Sequence, residues 1–112
     1  MQVPGMQTAF RNEGRNCIIS ICGRIDIDSA PVLRALLLQQ LDAATCDALT
    51  LDLYDVPYVD TSCVAVLLEV LRAARARKKT LALSALRDRP RFLLEATRIL
   101  PLFNEVFRNV PQ

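Results

Sequence analysis

The sequence predicts an α/β fold, a single domain with a mixed, mostly parallel sheet. Three observations carry that expectation. Short segments in which apolar residues alternate, the period of a strand, take turns with longer segments in which they recur at helical spacing. The first two strand-like segments are separated by a short connection containing Asn and Gly, as in a hairpin, whereas each later pair of strands is separated by a helix, as in a parallel crossover. With 112 residues, 52% of them hydrophobic and 23% charged, the chain has the size and apolar content of one packed core. One domain over 1–112 is expected, with an ordered core of about 7–107 and frayed ends.

Residues 7–11 and 16–22 form the opening hairpin, joined by Asn12-Glu13-Gly14-Arg15, whose Asn and Gly tolerate the backbone angles of a tight turn. Along the second strand Cys17, Ile19 and Ile21 make an apolar face, and Ile18, Ser20 and Cys22 a mixed one. Gly23 is expected to end it. Gly23 through Pro31 then leads into the first helix, with Asp28 or Ser29 as N-cap and Pro31 in the first turn, where its missing N–H costs little. Leu33, Leu36, Leu37 and Leu41 recur at helical spacing, carrying this helix to about Ala44.

The third strand covers 48–54, with Leu49, Leu51 and Leu53 on the face that helices should cover and Thr50, Asp52 and Tyr54 on the other. Asp55-Val56-Pro57 reads as a turn. A helix follows over 62–77, with Val64, Leu67, Leu68, Leu71 and Ala74 as its core stripe and Cys63, Val66, Val70 and Ala73 widening the apolar surface. The fourth strand is 80–85. Arg87-Asp88-Arg89-Pro90 turns the chain into a last helix that buries Phe92, Leu93, Ala96, Ile99 and Leu100 and stops at Pro101. Residues 102–107 make a short final strand, and Val110-Pro111-Gln112 frays.

Composition removes several classes of function. The absence of histidine excludes Ser-His-Asp and Cys-His nucleophiles and the usual imidazole metal ligands. Cys17, Cys22, Cys46 and Cys63 form no Cys-x-x-Cys pair and sit in apolar periodic segments, so they read as reduced, mostly packed thiols. With only three glycines there is no phosphate-cradling loop, and no acid/base pair stands out. The expectation is a protein that is not an enzyme and needs no cofactor or metal. Asp26 and Asp28 precede a helix, where such pairs usually serve turns and caps, and no further carboxylate clusters with them as a cation site would need.

Net charge is +2, and only 5% of residues are aromatic. A nucleic-acid binder would concentrate more charge and more stacking rings on one face. The basic run Arg72, Arg75, Arg77, Lys78 and Lys79 instead suits a helix C-terminus and a solvated face. Apolar runs break well short of the ~20 residues of a membrane span, and the N-terminus lacks the pattern of a secretory signal, so a cytoplasmic protein without membrane insertion is expected.

Functional groups in such a sheet gather beyond the carboxyl ends of the strands, which puts the Asp26 loop and the junction Asp60-Thr61-Ser62 on one edge. A hydroxyl at a helix start is a capping group and, among the unpaired amides at the positive end of the dipole, a tolerable place for a phosphate. Cys63 at the same place could be an activated thiol or a packing residue, and packing is the more common use.

In order and spacing, Gly23-Arg24-Ile25-Asp26, Leu51-Asp52-Leu53-Tyr54, Val59-Asp60-Thr61-Ser62 with its long helix, and Phe92-Leu93-Leu94 through Leu102-Phe103 resemble the STAS family of bacterial anti-sigma-factor antagonists. The family junction commonly reads Asp-Ser-Ser-Gly; here Thr61 stands for the first serine and Cys63 for the glycine. The resemblance implies that Ser62, with Thr61 as a competing acceptor, is phosphorylated by a kinase that is also an anti-sigma factor. It further implies that the unphosphorylated protein binds this kinase and releases it once modified, with a phosphatase reversing the change and the protein a monomer or weak dimer. Asp26, Asp60, Thr61, Cys63, Val66 and Glu69 are the partner contacts so implied, with a cap as the alternative role of Asp60 and a plain loop carboxylate that of Asp26. Other STAS domains are non-catalytic subunits of membrane transport ATPases, including lipid transporters, and Thr61 is similar to their junction. For this chain that implies docking on an ABC-type ATPase without phosphorylation.

Overall fold

The computed structural model describes residues 5–106. Strand β1 (Met6–Glu13) and strand β2 (Asn16–Ile25) form the hairpin, followed by α1 (Ala30–Leu41), β3 (Ala48–Val59), α2 (Thr61–Ala76), β4 (Thr80–Ser84), α3 (Asp88–Ala96), a 3-10 turn (Leu100–Leu102) and β5 (Asn104–Val106). Among the described residues the strands form one sheet in the order β1-β2-β3-β4-β5, with β1 and β2 antiparallel and every other pair parallel. This is the mixed, mostly parallel α/β fold that the periodicities predict.

Each crossover from β2 onward steps one strand in the same direction. Right-handed crossovers of that kind stack their helices on one face of the sheet. The core has this one-sided character: Cys17, Ile19 and Ile21 of β2, Leu49, Leu51 and Leu53 of β3, and Leu81 and Leu83 of β4 join Leu33, Leu37 and Leu41 of α1 and Leu67, Val70 and Ala74 of α2. On the other face of the sheet, polar side chains of β2 and β3 pair with each other. The Thr50 hydroxyl donates to Asn16 Oδ1 at 3.1 Å, and the Ser20 hydroxyl donates to Asp52 Oδ2 at 3.4 Å.

The central strands run further than their sequence suggests. Strand β2 passes through Gly23 and continues to Ile25, and β3 passes through Asp55-Val56-Pro57 to Val59. Their pairing shifts register twice, between Ser20 and Cys22 and between Cys22 and Arg24, so β3 gains a residue at each irregularity. Pro57 is admitted because pairing of β3 with β4 stops at Asp52 and Ser84, which leaves one edge of 55–59 without a strand awaiting an N–H. Gly23 is needed for another reason. Its φ is +109°, and a Cβ there would lie 2.0 Å from the carbonyl oxygen of Gly5, which receives the Arg24 amide at 2.7 Å.

The helices also end differently. Helix α1 stops at Leu41, short of Ala44, and the Lys79 ammonium donates to the carbonyls of Leu41 and Ala43. Arg77 pairs with Asp42 at 2.8 Å, so part of the basic run fastens α2 to the end of α1. Helix α3 ends at Ala96, two residues before Arg98 takes a φ of +61°, and it does not reach Pro101. Its phase differs from the expectation as well: Pro90 and Leu94 are buried, while Phe92 is 68% exposed and Ala96 is on the surface. In a helix of nine residues a single i,i+4 pair decides which side is inward. Ile99 and Leu100 reach the core after the helix has ended. On α1, Leu36 is only half-buried, unlike Leu33, Leu37 and Leu41. Strand β5 is shorter than the expected 102–107, and Phe107 and the fraying assigned to Val110, Pro111 and Gln112 lie outside the described residues.

Among the described residues no helix is long and apolar enough to cross a membrane, and no three metal-ligating side chains cluster.

Candidate functional site

Asp60 ends β3 and caps α2. One carboxylate oxygen accepts from the Ser62 amide at 2.8 Å, and the other accepts from the Ile27 amide at 3.1 Å. The Asp60 amide donates to the Ile25 carbonyl at 3.1 Å, and its carbonyl accepts from the Cys63 amide at 3.0 Å. A single residue thus joins the loop after β2 to the first turn of α2, and the two stretches expected on one edge do meet. Its backbone is extended, as an N-cap requires, so capping falls to Asp60 and Ser62 is the second residue of the helix.

Asp26 organises the facing loop. One carboxylate oxygen accepts from the amides of Asp28 and Ser29 at 3.0 and 3.2 Å, and the other lies 3.5 Å from the Arg24 guanidinium. The Ser29 amide, first, and the Asp28 amide and Arg24 with it, hold the Asp26 carboxyl below its ordinary range despite partial desolvation. Ser29 precedes α1, but its buried hydroxyl donates to the Arg24 carbonyl at 2.9 Å and accepts from the Asp26 amide at 3.0 Å. It closes the loop instead of capping the helix, and Asp26 and Asp28 serve a turn.

The side chains at the start of α2 divide sharply. Thr61 is exposed, Ser62 is half-buried, and the Ser62 hydroxyl has no hydrogen-bond partner among the described residues. Cys63 and Val66 are 2% and 6% exposed and belong to the core. The partner-contact role expected of these two is therefore corrected: they support the surface from beneath and leave its outer layer to Thr61, Ser62 and Ala65. Burial first, and the Asp60 carboxylate second, push the Cys63 thiol up to about 12, the reverse of an activated thiolate. Glu69 stays accessible but bonds Arg34 of α1 at 2.6 Å, and that guanidinium holds its carboxyl below the ordinary range.

Other residues at this edge carry no motif. The guanidinium carbons of Arg24 and Arg89 lie 4.5 and 5.1 Å from the centroid of the same Tyr58 ring. A groove of about 260 Å³ runs beside it, lined by Tyr58, Asp60, Thr61, Arg89, Phe92 and Leu93. On the other side of Asp60, Ile27 is 72% exposed. The hydropathy of Phe92 and Ile27 marks them as core candidates in sequence, so only their exposure identifies them as surface groups. The pairing of Tyr58 with Arg24 and Arg89 follows from the extension of β3, which sequence reading replaced by a turn.

The strand-to-helix junction of this α/β domain, capped by Asp60, thus presents Thr61 and Ser62 on its outer turn. A sequence profile described as "Mlab, STAS domain" matches residues 8–100, and the chain belongs to the STAS family. Comparison with curated proteins returns no match. Among solved structures, an anti-sigma factor antagonist from Mycobacterium paratuberculosis superposes with a TM-score of 0.79 at 19% identity, covering 94% of this chain and 89% of the other. The Bacillus cell fate determinant SpoIIAA in its phosphorylated form gives 0.69 at 14% identity over 89% and 91%. A sulfate transporter family protein from Wolinella succinogenes gives 0.68 at 24% identity over 80% and 74%. At these identities the similarity establishes the shared fold.

Proposed function

We propose that the protein is an anti-sigma-factor-antagonist-like regulator, a cytoplasmic monomer or weak dimer without catalytic activity of its own. It binds a serine kinase that is also an anti-sigma factor and is released by phosphorylation of Ser62, which a phosphatase reverses. The observation that carries this reading is the Ser62 hydroxyl itself: partly accessible, in the first turn of α2, and relieved of capping duty by Asp60. A phosphate there adds about −1.5 to −2 charges, which the helix dipole tolerates and a close-fitting partner surface does not. Release then needs no refolding. In this reading Asp60, Thr61 and Asp26 lie at the contact, Thr61 is the secondary acceptor, and Glu69 borders it. The test is labelling by the cognate serine kinase with wild type and Ser62→Ala. Loss of label with retained binding is expected, and persistent labelling of Ser62→Ala overturns the assignment.

The exposed Thr61 directly after Asp60, with Cys63 in place of the family's glycine, favours a second reading, in which the same surface docks on an ABC-type transport ATPase without phosphorylation. It predicts stable co-purification with such an ATPase that phosphatase treatment leaves unchanged.

A further inference from the structure

The groove beside Thr61 joins two features that no motif assigns. Its walls are apolar where Tyr58, Phe92 and Leu93 face it, and Phe92, 68% exposed, gains nothing from the core. Its charged groups are unequally satisfied. Both oxygens of Asp60 are taken by backbone amides, whereas Arg89 lies over Tyr58 with no carboxylate partner among the described residues. The neighbouring cations differ in this: Arg24 has Asp26 at 3.5 Å, and Arg87 has Asp88 at 3.3 Å and grips the Tyr54 carbonyl at 2.8 and 3.0 Å. Beyond Asp52 this edge of β3 is also free of β4. An apolar trough and a guanidinium without a carboxylate partner among the described residues therefore lie together.

We propose that the groove between the end of β3 and α3 receives a partner segment carrying an apolar side chain next to a carboxylate. The apolar group fills the space between Tyr58, Leu93 and Phe92, and the carboxylate meets Arg89, whose planar fork suits two oxygens and whose stacking on Tyr58 preorganises it. This builds on the proposed function by naming the chemistry of the partner's docking segment. It also gives the switch a local cause. A phosphate on Ser62, adjacent to the groove wall at Thr61, brings like charge against the bound carboxylate and offers Arg89 a competing anion.

The test is a peptide array of ten-residue sequences with a Glu beside a Leu or Phe, and matched peptides with Lys for Glu or Ser for the apolar residue. It is probed with wild type, Arg89→Ala, Phe92→Ser and, as a control on the far edge strand, Arg11→Ala. Glu-plus-apolar peptides should bind wild type and Arg11→Ala alike and lose about tenfold or more in affinity on Arg89→Ala and on Phe92→Ser. Equal retention by Arg89→Ala, equal binding of the Lys peptides, or no retained peptide overturns the proposal. Kinase labelling of Ser62 is read separately. If peptides bind through Arg89 while Ser62 is not labelled, the phosphoswitch falls and the groove stands; labelling without such binding has the opposite meaning.

Discussion

The carboxylate of Asp60 accepts the backbone amide of Ile27, a residue 33 positions earlier, at 3.1 Å, while its second oxygen caps the amide of Ser62. The loop after β2 and the start of α2 are thereby one unit. Any partner that touches Thr61 or Ser62 meets a surface whose shape Asp60 sets.

Removal of that carboxylate should therefore cost more than an ordinary cap. Asp60→Ala leaves the Ser62 and Ile27 amides without their acceptor and is expected to lower stability by about 1–2 kcal/mol. Asp60→Asn keeps one acceptor oxygen and should lose less. Urea unfolding measures both, and an unchanged midpoint for Asp60→Ala would show that water replaces the tether.

Ser62→Ala should behave oppositely. Because the hydroxyl makes no bond among the described residues and Asp60 supplies the cap, the unfolding free energy is expected to stay within about 0.5 kcal/mol of wild type. A loss of about 1 kcal/mol, the size of a missing cap, would instead give the hydroxyl a structural role.

Cys63 makes stability depend on alkaline pH. Its thiol is pushed from 9.0 to about 12 in the fold, so the folded state favours the protonated form. That contribution is intact below the unfolded value of 9.0 and lost as pH rises from there toward about 12. The urea midpoint should fall across this window, and less so in Cys63→Ala, a difference that isolates the contribution of this thiol. At neutral pH iodoacetamide should modify the exposed Cys22 well before Cys63, as peptide mass mapping can record.

Gly23→Ala is expected to be the most damaging small substitution on β2. Its Cβ would fall 2.0 Å from the Gly5 carbonyl oxygen at a φ of +109°. Either the chain around Gly5 moves away or the bond from the Arg24 amide to the Gly5 carbonyl is lost, at a cost of about 2 kcal/mol or more. A thermal midpoint equal to wild type would refute this account of the glycine.

Periodicity and turn residues alone determined the order of elements, the opening hairpin, the parallel crossovers and the meeting of the Asp26 loop with the Asp60 junction. A strand face or a helix stripe must be buried whatever covers it, so these features are readable in one dimension. Where a choice depended on a distant neighbour, only the tertiary structure decided it. Pro57 lies within a strand because β4 ends early beside it. Leu94 faces inward and Phe92 outward because α3 is too short for a stripe to fix its phase. Cys63 and Val66 sink into the core because α1 and the sheet close over that side of α2, which turns two expected contact residues into support for the surface of Thr61 and Ser62. The groove along Tyr58 and Arg89 arises in the same way, from chain segments that sequence reading had no means to bring together.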